Sequence, residues 1–210
     1  MGYDYLWDIA SHYYKTSGEN QLPHIKRVYR HAEFLVGREL SLSEAVAVIF
    51  HDFTKSMGYD MPHGFSASLA LPSVLRKHGL KLAVDGDLYQ VMEAIGYHDD
   101  DSIESPSDLA DLLRSADALP PNLGMYLYKA FNKSLKGRTP EEAYTRVLKA
   151  VRSGRPLMEH MKYKPRLYFK VYAQEVETLK YDMAECQTPA DVKRFISEYL
   201  DSHPDANPEV

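Results

Sequence analysis

The sequence predicts an all-α protein, a helical bundle followed by a C-terminal helical extension. Apolar residues recur at intervals of three and four along most of the chain, which is the spacing of one helix face. Pro, Ser and Thr stand at the predicted helix starts and Gly at several ends, where these residue types are preferred. No strand-rich region is found. We therefore expect helices throughout.

The first half of the chain divides into six predicted helices. Pro72 falls inside the fourth and is expected to kink or split it, because proline cannot donate the backbone hydrogen bond. Residues 53–62, with their Gly and Pro, are predicted to form a loop. The helices cover residues 4–14, 22–37, the stretch from a cap at Ser41 or Ser43 to His51, 64–78, 87–98 and 105–117.

The second half is predicted to be a separate helical extension. Pro120-Pro121 interrupts the chain, so we predict a core of residues 1–120, an extension of residues 121–204 and a disordered tail of residues 205–210. Helix starts in the extension are predicted at Thr139-Pro140, Pro165 and Thr188-Pro189.

The composition favours a cytoplasmic protein with no membrane segment. Cys186 is the only cysteine, which excludes an internal disulfide and is typical of a reducing compartment. The chain has neither a basic start followed by an apolar run nor an apolar stretch approaching ~18 residues. At 210 residues it can bury a core without metal or disulfide support.

Charge is divided unevenly along the chain. Residues 121–170 contain twelve Lys and Arg against three Glu, a net of +9, whereas the whole chain carries −5 and the remainder therefore −14. Such a basic segment could attract an anionic substrate or a nucleic acid. Equally, it could be a set of exposed helix faces whose cations do not converge. We predict a substrate-shaping role for this extension and do not favour nucleic acid as a partner.

Histidines and aspartates supply the candidate chemistry. His51-Asp52 follows an apolar run and joins two metal-ligand types at the end of a predicted core helix. Imidazoles and carboxylates suit Zn, Fe, Mn, Co and Ni, and a set without cysteine thiolates favours an open catalytic site over a closed structural zinc. Four further candidates stand near the ends of other predicted helices: His24, His63, His98 and Asp117.

Three motifs in order resemble those of the HD superfamily of metal-dependent phosphohydrolases, over residues 23–119. The first pairs a ligand His with Val four residues later and Ala eight residues later, here His24, Val28 and Ala32. The second is His51-Asp52-Phe53-Thr54-Lys55, and the third is Ala116-Asp117-Ala118-Leu119. The resemblance implies an HD-like bundle. It also selects His24 over His31, for which a structural role is the favoured interpretation.

The resemblance further implies a centre of one or two divalent transition-metal ions. The core ion would be held by His24, His51, Asp52 and Asp117. His63 and His98 resemble the extra histidines of members that hold a second ion, and could alternatively orient substrate. Asp52 would then bridge the two ions, because a carboxylate has two oxygens.

Two cations complete the predicted catalytic set with Asp52. Lys55 lies four residues after His51 and would project from the same side if the helix continued. Arg27 lies three residues after His24. Either could neutralise a phosphate oxygen, and the alternative for each is a solvated surface cation. The acidic run 99–101 could likewise supply a general base, although a solvated loop is favoured.

We predict hydrolysis of a phosphoester or phosphoanhydride by attack of metal-bound hydroxide on phosphorus. The substrate would be a small phosphorylated molecule, with a nucleotide as the leading class. Two alternatives remain. The six-residue ligand set also resembles HD proteins that are di-iron oxygenases. A regulatory module could instead hold nucleotide or RNA without turnover.

Overall fold

The structure is a computed structural model of the 210-residue chain. It describes residues 3–15, 21–55, 57, 60–80, 86–100, 102–118, 138–152, 166–167, 170, 178 and 181–202. Every regular element among these residues is an α-helix, which confirms the predicted all-α bundle.

Eight helices have bounds within the described residues. They are α1 (Asp4–Lys15), α2 (Leu22–Val36), α3 (Leu42–Phe50), α4 (His63–Lys77), α5 (Gly86–Tyr97), α6 (Asp108–Ala118), α7 (Pro140–Arg152) and α8 (Pro189–Ser202). Among the helices described, none combines the length and the apolar character that a bilayer crossing requires.

The chain forms two compact units. One consists of Met1–Ala118 together with Pro165–Tyr168, and the other of Leu119–Lys164 with Phe169–Val210. Helices α1 to α6 belong to the first unit, and α7 and α8 to the second. The predicted break at Pro120-Pro121, most of the basic segment and the predicted tail 205–210 lie outside the described residues.

Helix α3 is the core of the first unit. All six residues from Ala45 to Phe50 are buried, and the helix contacts α1, α2, α5 and α6. A helix that is apolar on every side is stable only when other elements surround it. The neighbouring helices meet each other as well, α2 with α6, α4 with α5, and α5 with α6.

The start of α3 is determined by a capping box. The Ser41 backbone N–H donates to Glu44 Oε2 at 2.7 Å, and the Glu44 N–H donates to Ser41 Oγ at 3.4 Å. Ser41 is therefore the cap rather than Ser43. Gly37, with φ 69°, ends α2 in the left-handed conformation that glycine adopts without steric cost. These two signals leave a short connection between α2 and α3.

Three local features differ from the sequence predictions. Helix α3 ends at Phe50, one residue before its predicted end at His51, and the further helical turn on which the predicted placement of Lys55 depended is not formed. Helix α4 begins at His63, which was predicted to follow a loop and precede the helix. Pro72 lies inside α4 without interrupting it.

The second unit has its own described core. Residues of α7 and α8 pack with Met183 and Cys186, and Cys186 is buried in that core. Thr139 and Glu142 form a capping box at the start of α7, as the Thr-Pro-Glu-Glu sequence predicts. The buried members are Tyr144, Val147, Leu148, Met183, Cys186, Val192 and Ile196.

Candidate metal centre

All six predicted ligands converge in the first unit, although they come from five helices. His24 lies in the first turn of α2, and His63 is the first residue of α4. Asp117 lies in the last turn of α6. His51 and Asp52 directly follow α3, and His98 directly follows α5. Helix ends bring these side chains together because α2, α5 and α6 pack on α3, and α4 packs on α5.

The two carboxylate oxygens of Asp52 face different histidines. Oδ2 lies 3.7 Å from His24 Nε2 and 3.8 Å from His51 Nε2. Oδ1 lies 3.1 Å from His63 Nε2 and 3.6 Å from His98 Nε2. Asp52 therefore stands between two pairs of imidazoles, with one oxygen toward each pair.

Asp117 closes the other side of the cluster. Its Oδ1 lies 3.1 Å from His24 Nε2 and 3.5 Å from His51 Nε2, and its Oδ2 lies 3.8 Å from His98 Nε2. Ligands bound about 2.1 Å from one ion are themselves roughly 3 to 4 Å apart. The spacing in the cluster is thus that of ligands sharing an ion.

Two overlapping groups meet the distance requirement for binding a metal ion. One is His24, His51 and Asp117, and the other is His51, Asp52 and His98. Within each group the ligand atoms all lie within 4.8 Å of one another. His63 belongs to neither group, although its Nε2 lies 3.1 Å from Asp52 Oδ1 and its ring packs edge-on against that of His98.

Four buried polar atoms of the cluster have no hydrogen-bond partner. They are Nε2 of His24, His51 and His98, and Oδ1 of Asp52. Leaving a buried donor or acceptor unsatisfied costs about 1–3 kcal/mol, so such atoms are rare in folded proteins. Four such atoms in one cluster fit a centre of one or two metal ions, which would satisfy them by coordination.

The buried histidines are held with a ring nitrogen ready for coordination. Nδ1 of His51 lies 2.8 Å from the Val48 carbonyl oxygen, and Nδ1 of His98 lies 2.8 Å from the Ile95 carbonyl oxygen. A carbonyl can only accept, so each Nδ1 carries the hydrogen. In the neutral ring Nε2 then holds a lone pair directed at the cluster, as in most metal-binding histidines.

The electrostatics of the cluster favour a bound cation. Burial opposes ionisation of Asp52, but the imidazoles of His63 and His98 beside its Oδ1 hold its pKa well below the usual range. Burial also opposes ionisation of Asp117, whose pKa is lowered chiefly by His51. Burial opposes protonation of His51 in turn, yet Asp117 and Asp52 raise its pKa to about 9, so a metal ion would displace the proton from its Nε2 on binding. The carboxylates of Asp52 and Asp117 thus remain ionised and attract positive charge.

The centre is closed on one side and open on the other. The side chains of His51 and His98 are fully buried, and Asp52 is 1% exposed. By contrast, His24 is 27% and His63 28% exposed. A structural metal site is enclosed by protein ligands, whereas a catalytic site leaves a position for water or substrate. The uneven exposure matches the second kind.

The two predicted cations differ in their surroundings. Lys55 Nζ lies 2.7 Å from Asp52 Oδ2, and its side chain is 44% exposed. The turns after α3, rather than a continued helix, bring it there. Arg27 is exposed on α2, three residues after His24, and its role stays a prediction.

Two hydroxyl groups beside the centre, those of Thr54 and Ser66, help to hold His63 in place, and the sequence analysis did not identify this role. Oγ1 of Thr54 and Oγ of Ser66 lie 2.6 Å apart, and each lies within 3.1 Å of the His63 carbonyl oxygen. They tie the turns after α3 to the start of α4. The hydrogen bond from Ser66 to the His63 carbonyl could have been predicted from their spacing of three residues within a helix, whereas the one from Thr54 could not.

Gly64 allows α4 and the end of α5 to approach each other. A Cβ atom at this position would lie 2.7 Å from the Ile95 carbonyl oxygen and 2.9 Å from His98 Nδ1. Both distances are shorter than side chains tolerate. Glycine is thus required for α4 to begin directly against His98.

Two residues weighed from the sequence lie beside the centre. Oδ2 of Asp99 is 3.3 Å from Nδ1 of His63, so at least one member of the acidic run contacts a candidate ligand. His31 is buried on α2, and its Nδ1 lies 3.1 Å from the carbonyl oxygen of Ala116. That contact supports the backbone immediately before Asp117 and agrees with a structural role.

No protein-family model matches the chain, and searches of curated proteins and of solved structures return no match. The interpretation of the centre therefore rests on its geometry and on the three motifs.

Proposed function

We propose that this chain is a metal-dependent phosphohydrolase of the HD superfamily, acting on a small phosphorylated molecule, with a nucleotide as the leading substrate class. The observation that carries the proposal is the convergence of four buried, unsatisfied ligand atoms from His24, His51, Asp52 and His98. Those atoms come from residues of the HD-like motifs and the additional His98. Agreement between motif order and spatial convergence supports the superfamily assignment.

The proposed centre holds one or two divalent ions. The division of Asp52, with Oδ2 toward His24 and His51 and Oδ1 toward His63 and His98, supports a bridging role for this carboxylate. The first ion would be held by His24, His51, Asp52 and Asp117, and the second by Asp52, His63 and His98. Mn, Fe, Co, Ni and Zn all suit this mixture of imidazole and carboxylate ligands.

A divalent ion supplies Lewis acidity when bound, lowering the pKa of water and polarising a phosphoryl oxygen. The residues of the chain orient and shield the reaction. The buried imidazoles of His51 and His98 present fixed nitrogen atoms, and the closed floor around Asp52 excludes bulk water. In the proposed reaction the oxygen of water bonds to phosphorus as the bond from phosphorus to the leaving oxygen breaks.

Lys55 is proposed to stabilise phosphoryl charge. Its ammonium is partly exposed and lies beside Asp52, on the side of the carboxylate that faces His24. A cation at this position can stabilise the negative charge that develops on the phosphoryl oxygens in the transition state. Arg27, exposed three residues after His24 on α2, is proposed to contact a more distant part of the substrate.

The experiment that tests the function combines metal analysis with a hydrolysis screen. Freshly purified protein is analysed for bound metals, then assayed on a panel of mononucleotides, dinucleoside polyphosphates, cyclic nucleotides and non-nucleotide phosphoesters with Mn, Co, Ni, Fe and Mg added separately. We expect metal-dependent release of phosphate or of a phosphorylated product from at least one class.

Other outcomes would contradict the proposal in different ways. Iron in the protein with substrate-dependent oxygen consumption and no phosphoester cleavage would instead support an HD-type oxygenase. Tight nucleotide or RNA binding without turnover under every metal would support a regulatory module. Failure to bind any of the metals would remove the basis of the proposal.

A further inference from the structure

Arg114 is a buried arginine that the motifs do not include. It lies on α6, is 1% exposed and is the largest of the fully buried side chains among the described residues. Desolvating a guanidinium costs several kcal/mol unless its hydrogen bonds are satisfied. The hydrogen bonds made by its terminal nitrogens run to Ile103 O at 3.0 Å, Ser105 Oγ at 3.2 Å, Tyr97 O at 2.8 Å and Asp100 O at 2.7 Å.

Two of these acceptors flank a candidate ligand. Tyr97 is the last residue of α5 and precedes His98 directly, whereas Asp100 follows His98 by two residues. A single guanidinium nitrogen, Nη2, binds both carbonyls. The backbone that carries His98 is therefore held from both sides by one side chain. A cation at the C-terminus of α5 is also favoured by the helix dipole.

The backbone of Arg114 is part of α6, the helix that carries Asp117. Arg114 precedes Asp117 by three residues, about one turn of α6. His98 Nε2 lies 3.8 Å from Asp117 Oδ2 and 3.6 Å from Asp52 Oδ1. Any movement of the end of α5 relative to α6 would change these separations directly.

We propose that Arg114 is a positioning residue of the metal centre, which sets the separation of His98 from Asp117 by clamping the end of α5 to α6. The inference rests on the proposed metal site and extends it to a residue that touches no ion and no substrate. Metal ligands must be held to within about 0.5 Å of their productive geometry, and outer residues provide that precision.

Lysine cannot replace the clamp. The guanidinium is planar and carries two terminal NH₂ groups, each of which binds two of the four acceptors. A lysine side chain is shorter, and its ammonium has three hydrogens on one nitrogen, so it cannot bind the four acceptors from two separate nitrogens. Arg114→Lys therefore preserves the buried positive charge and removes the geometry, which separates positioning from electrostatics.

The test measures cobalt binding in Arg114→Lys and Arg114→Gln. Affinity for Co²⁺ is determined by competition with a chromophoric chelator, and the visible absorption bands of the Co²⁺ protein report the ligand geometry. Val74→Ala serves as the control, because Val74 is buried on α4 eleven residues from His63 and its truncation weakens the same unit. Urea unfolding of each variant gives the loss of stability.

We expect Co²⁺ affinity to fall about 10- to 100-fold in Arg114→Lys, with altered absorption bands, as outer-residue substitutions do in other metal sites. Val74→Ala should keep its affinity within about twofold and its bands unchanged at a comparable loss of stability. Should neither Arg114 variant fold, Ser105→Ala decides, since it removes one acceptor and should produce a smaller change of the same kind.

Two results would overturn the inference, and they are distinguishable. If wild-type protein binds Co²⁺ and Arg114→Lys, or Ser105→Ala in its place, binds it equally with the same spectrum, the positioning role is wrong while the metal site stands. If wild-type protein does not bind Co²⁺, the proposed metal site itself fails and the inference with it.

Discussion

The ammonium of Lys55 lies 2.7 Å from Oδ2 of Asp52, the carboxylate oxygen that also faces His24 and His51. Lys55 thereby neutralises the oxygen that we propose as a ligand of the first ion. Because a bound divalent ion would neutralise the same oxygen, its arrival should release the ammonium toward a phosphoryl oxygen. This relationship links metal binding to substrate binding and shapes the first two predictions.

Replacement of Asp52 is expected to abolish metal binding and hydrolysis together. Asp52→Ala removes a carboxylate that contacts all four candidate histidines, so affinity should fall by more than about 100-fold. Metal content after dialysis and phosphate release would both be measured. Asp60→Ala, at an exposed position nearby in the chain, is the control and should change neither. An Asp52→Ala protein with the original rate would contradict the assignment.

Replacement of Lys55 is expected to lower turnover while metal binding persists. Lys55→Ala removes a cation proposed to stabilise transition-state charge, so kcat/KM should fall roughly 10- to 100-fold, or about 1.4–2.7 kcal/mol. Metal affinity should stay the same or increase, because Asp52 loses a competing partner. Lys26→Ala, at an exposed position on α2, is the matched control. Equal losses of metal and activity in Lys55→Ala would argue that the lysine only supports the fold.

The number of ions can be tested at His63. If Asp52 bridges two ions, His63→Ala should reduce the bound metal from two equivalents to one, since the Nε2 of His63 lies beside Asp52 Oδ1 and belongs to neither candidate group. His51→Ala should reduce binding further, because His51 belongs to both candidate groups. Metal stoichiometry by elemental analysis is the measurement. Unchanged stoichiometry in His63→Ala would leave His63 as a substrate-orienting residue.

A pair of glycine variants tests the packing of α4 against α5. Gly64→Ala should destabilise the protein by about 1–3 kcal/mol, because its Cβ would overlap the Ile95 carbonyl oxygen and His98 Nδ1. Gly96→Ala should be neutral or stabilising by up to about 1 kcal/mol, since its Cβ would meet Ser68 at an ordinary 3.6 Å inside a helix. Thermal unfolding of both variants measures the difference. Equal melting temperatures would show that the close approach at Gly64 is not required.

We expect the buried phenol of Tyr29 to make the free energy of unfolding fall in alkaline solution. Burial, together with the nearby Glu33 carboxylate, raises the pKa of Tyr29 from 10.0 to about 12. The fold therefore prefers the neutral phenol, so this contribution is complete below pH 10 and is lost as the pH rises from there to about 12. In Tyr29→Phe this loss should be smaller by an amount of order 1 kcal/mol, measured by urea unfolding at about pH 9 and about pH 11.

The control for this pH dependence is Tyr89→Phe. Tyr89 is 75% exposed on α5, so folding buries little of its side chain and its replacement should leave the wild-type profile. If Tyr29→Phe loses as much stability as wild-type protein between the two pH values, other groups cause the alkaline destabilisation.

Much of the fold could be predicted from local signals. The helices of the first unit begin and end within a few residues of their predicted bounds, because the signals are short-range, such as Gly37 at the end of α2. In the second unit, α7 likewise begins directly after Thr139. Ser41 and Ser43 were equivalent in the sequence, and the reciprocal bonds with Glu44 distinguish them. Continuation of α3 toward Lys55 could not be decided locally, since no strong stop signal follows Phe50.

The sequence predicted the candidate ligands of the site, but it did not indicate the residues that hold those ligands in place. Histidines and aspartates are few and stand in recognisable motifs, so their joint role could be inferred from order alone. Arg114 resembles an ordinary helix-surface arginine in the sequence, and Gly64 an ordinary helix-start glycine. Their importance depends on which backbone carbonyls approach them, and those carbonyls belong to another helix.

The sequence by itself determined that this protein is helical and where most helices of the first unit begin and end. It also indicated which six side chains could form a centre of one or two metal ions, because these features depend on residue type and on spacing along the chain. Only the tertiary structure decided which oxygen of Asp52 faces which histidine, that the cluster is closed at His51 and His98 and open at His24, and that Arg114 joins α5 to α6. The reason is physical: distances of 3 to 4 Å between side chains from different helices are set by how those helices pack, and packing is a property of the whole unit.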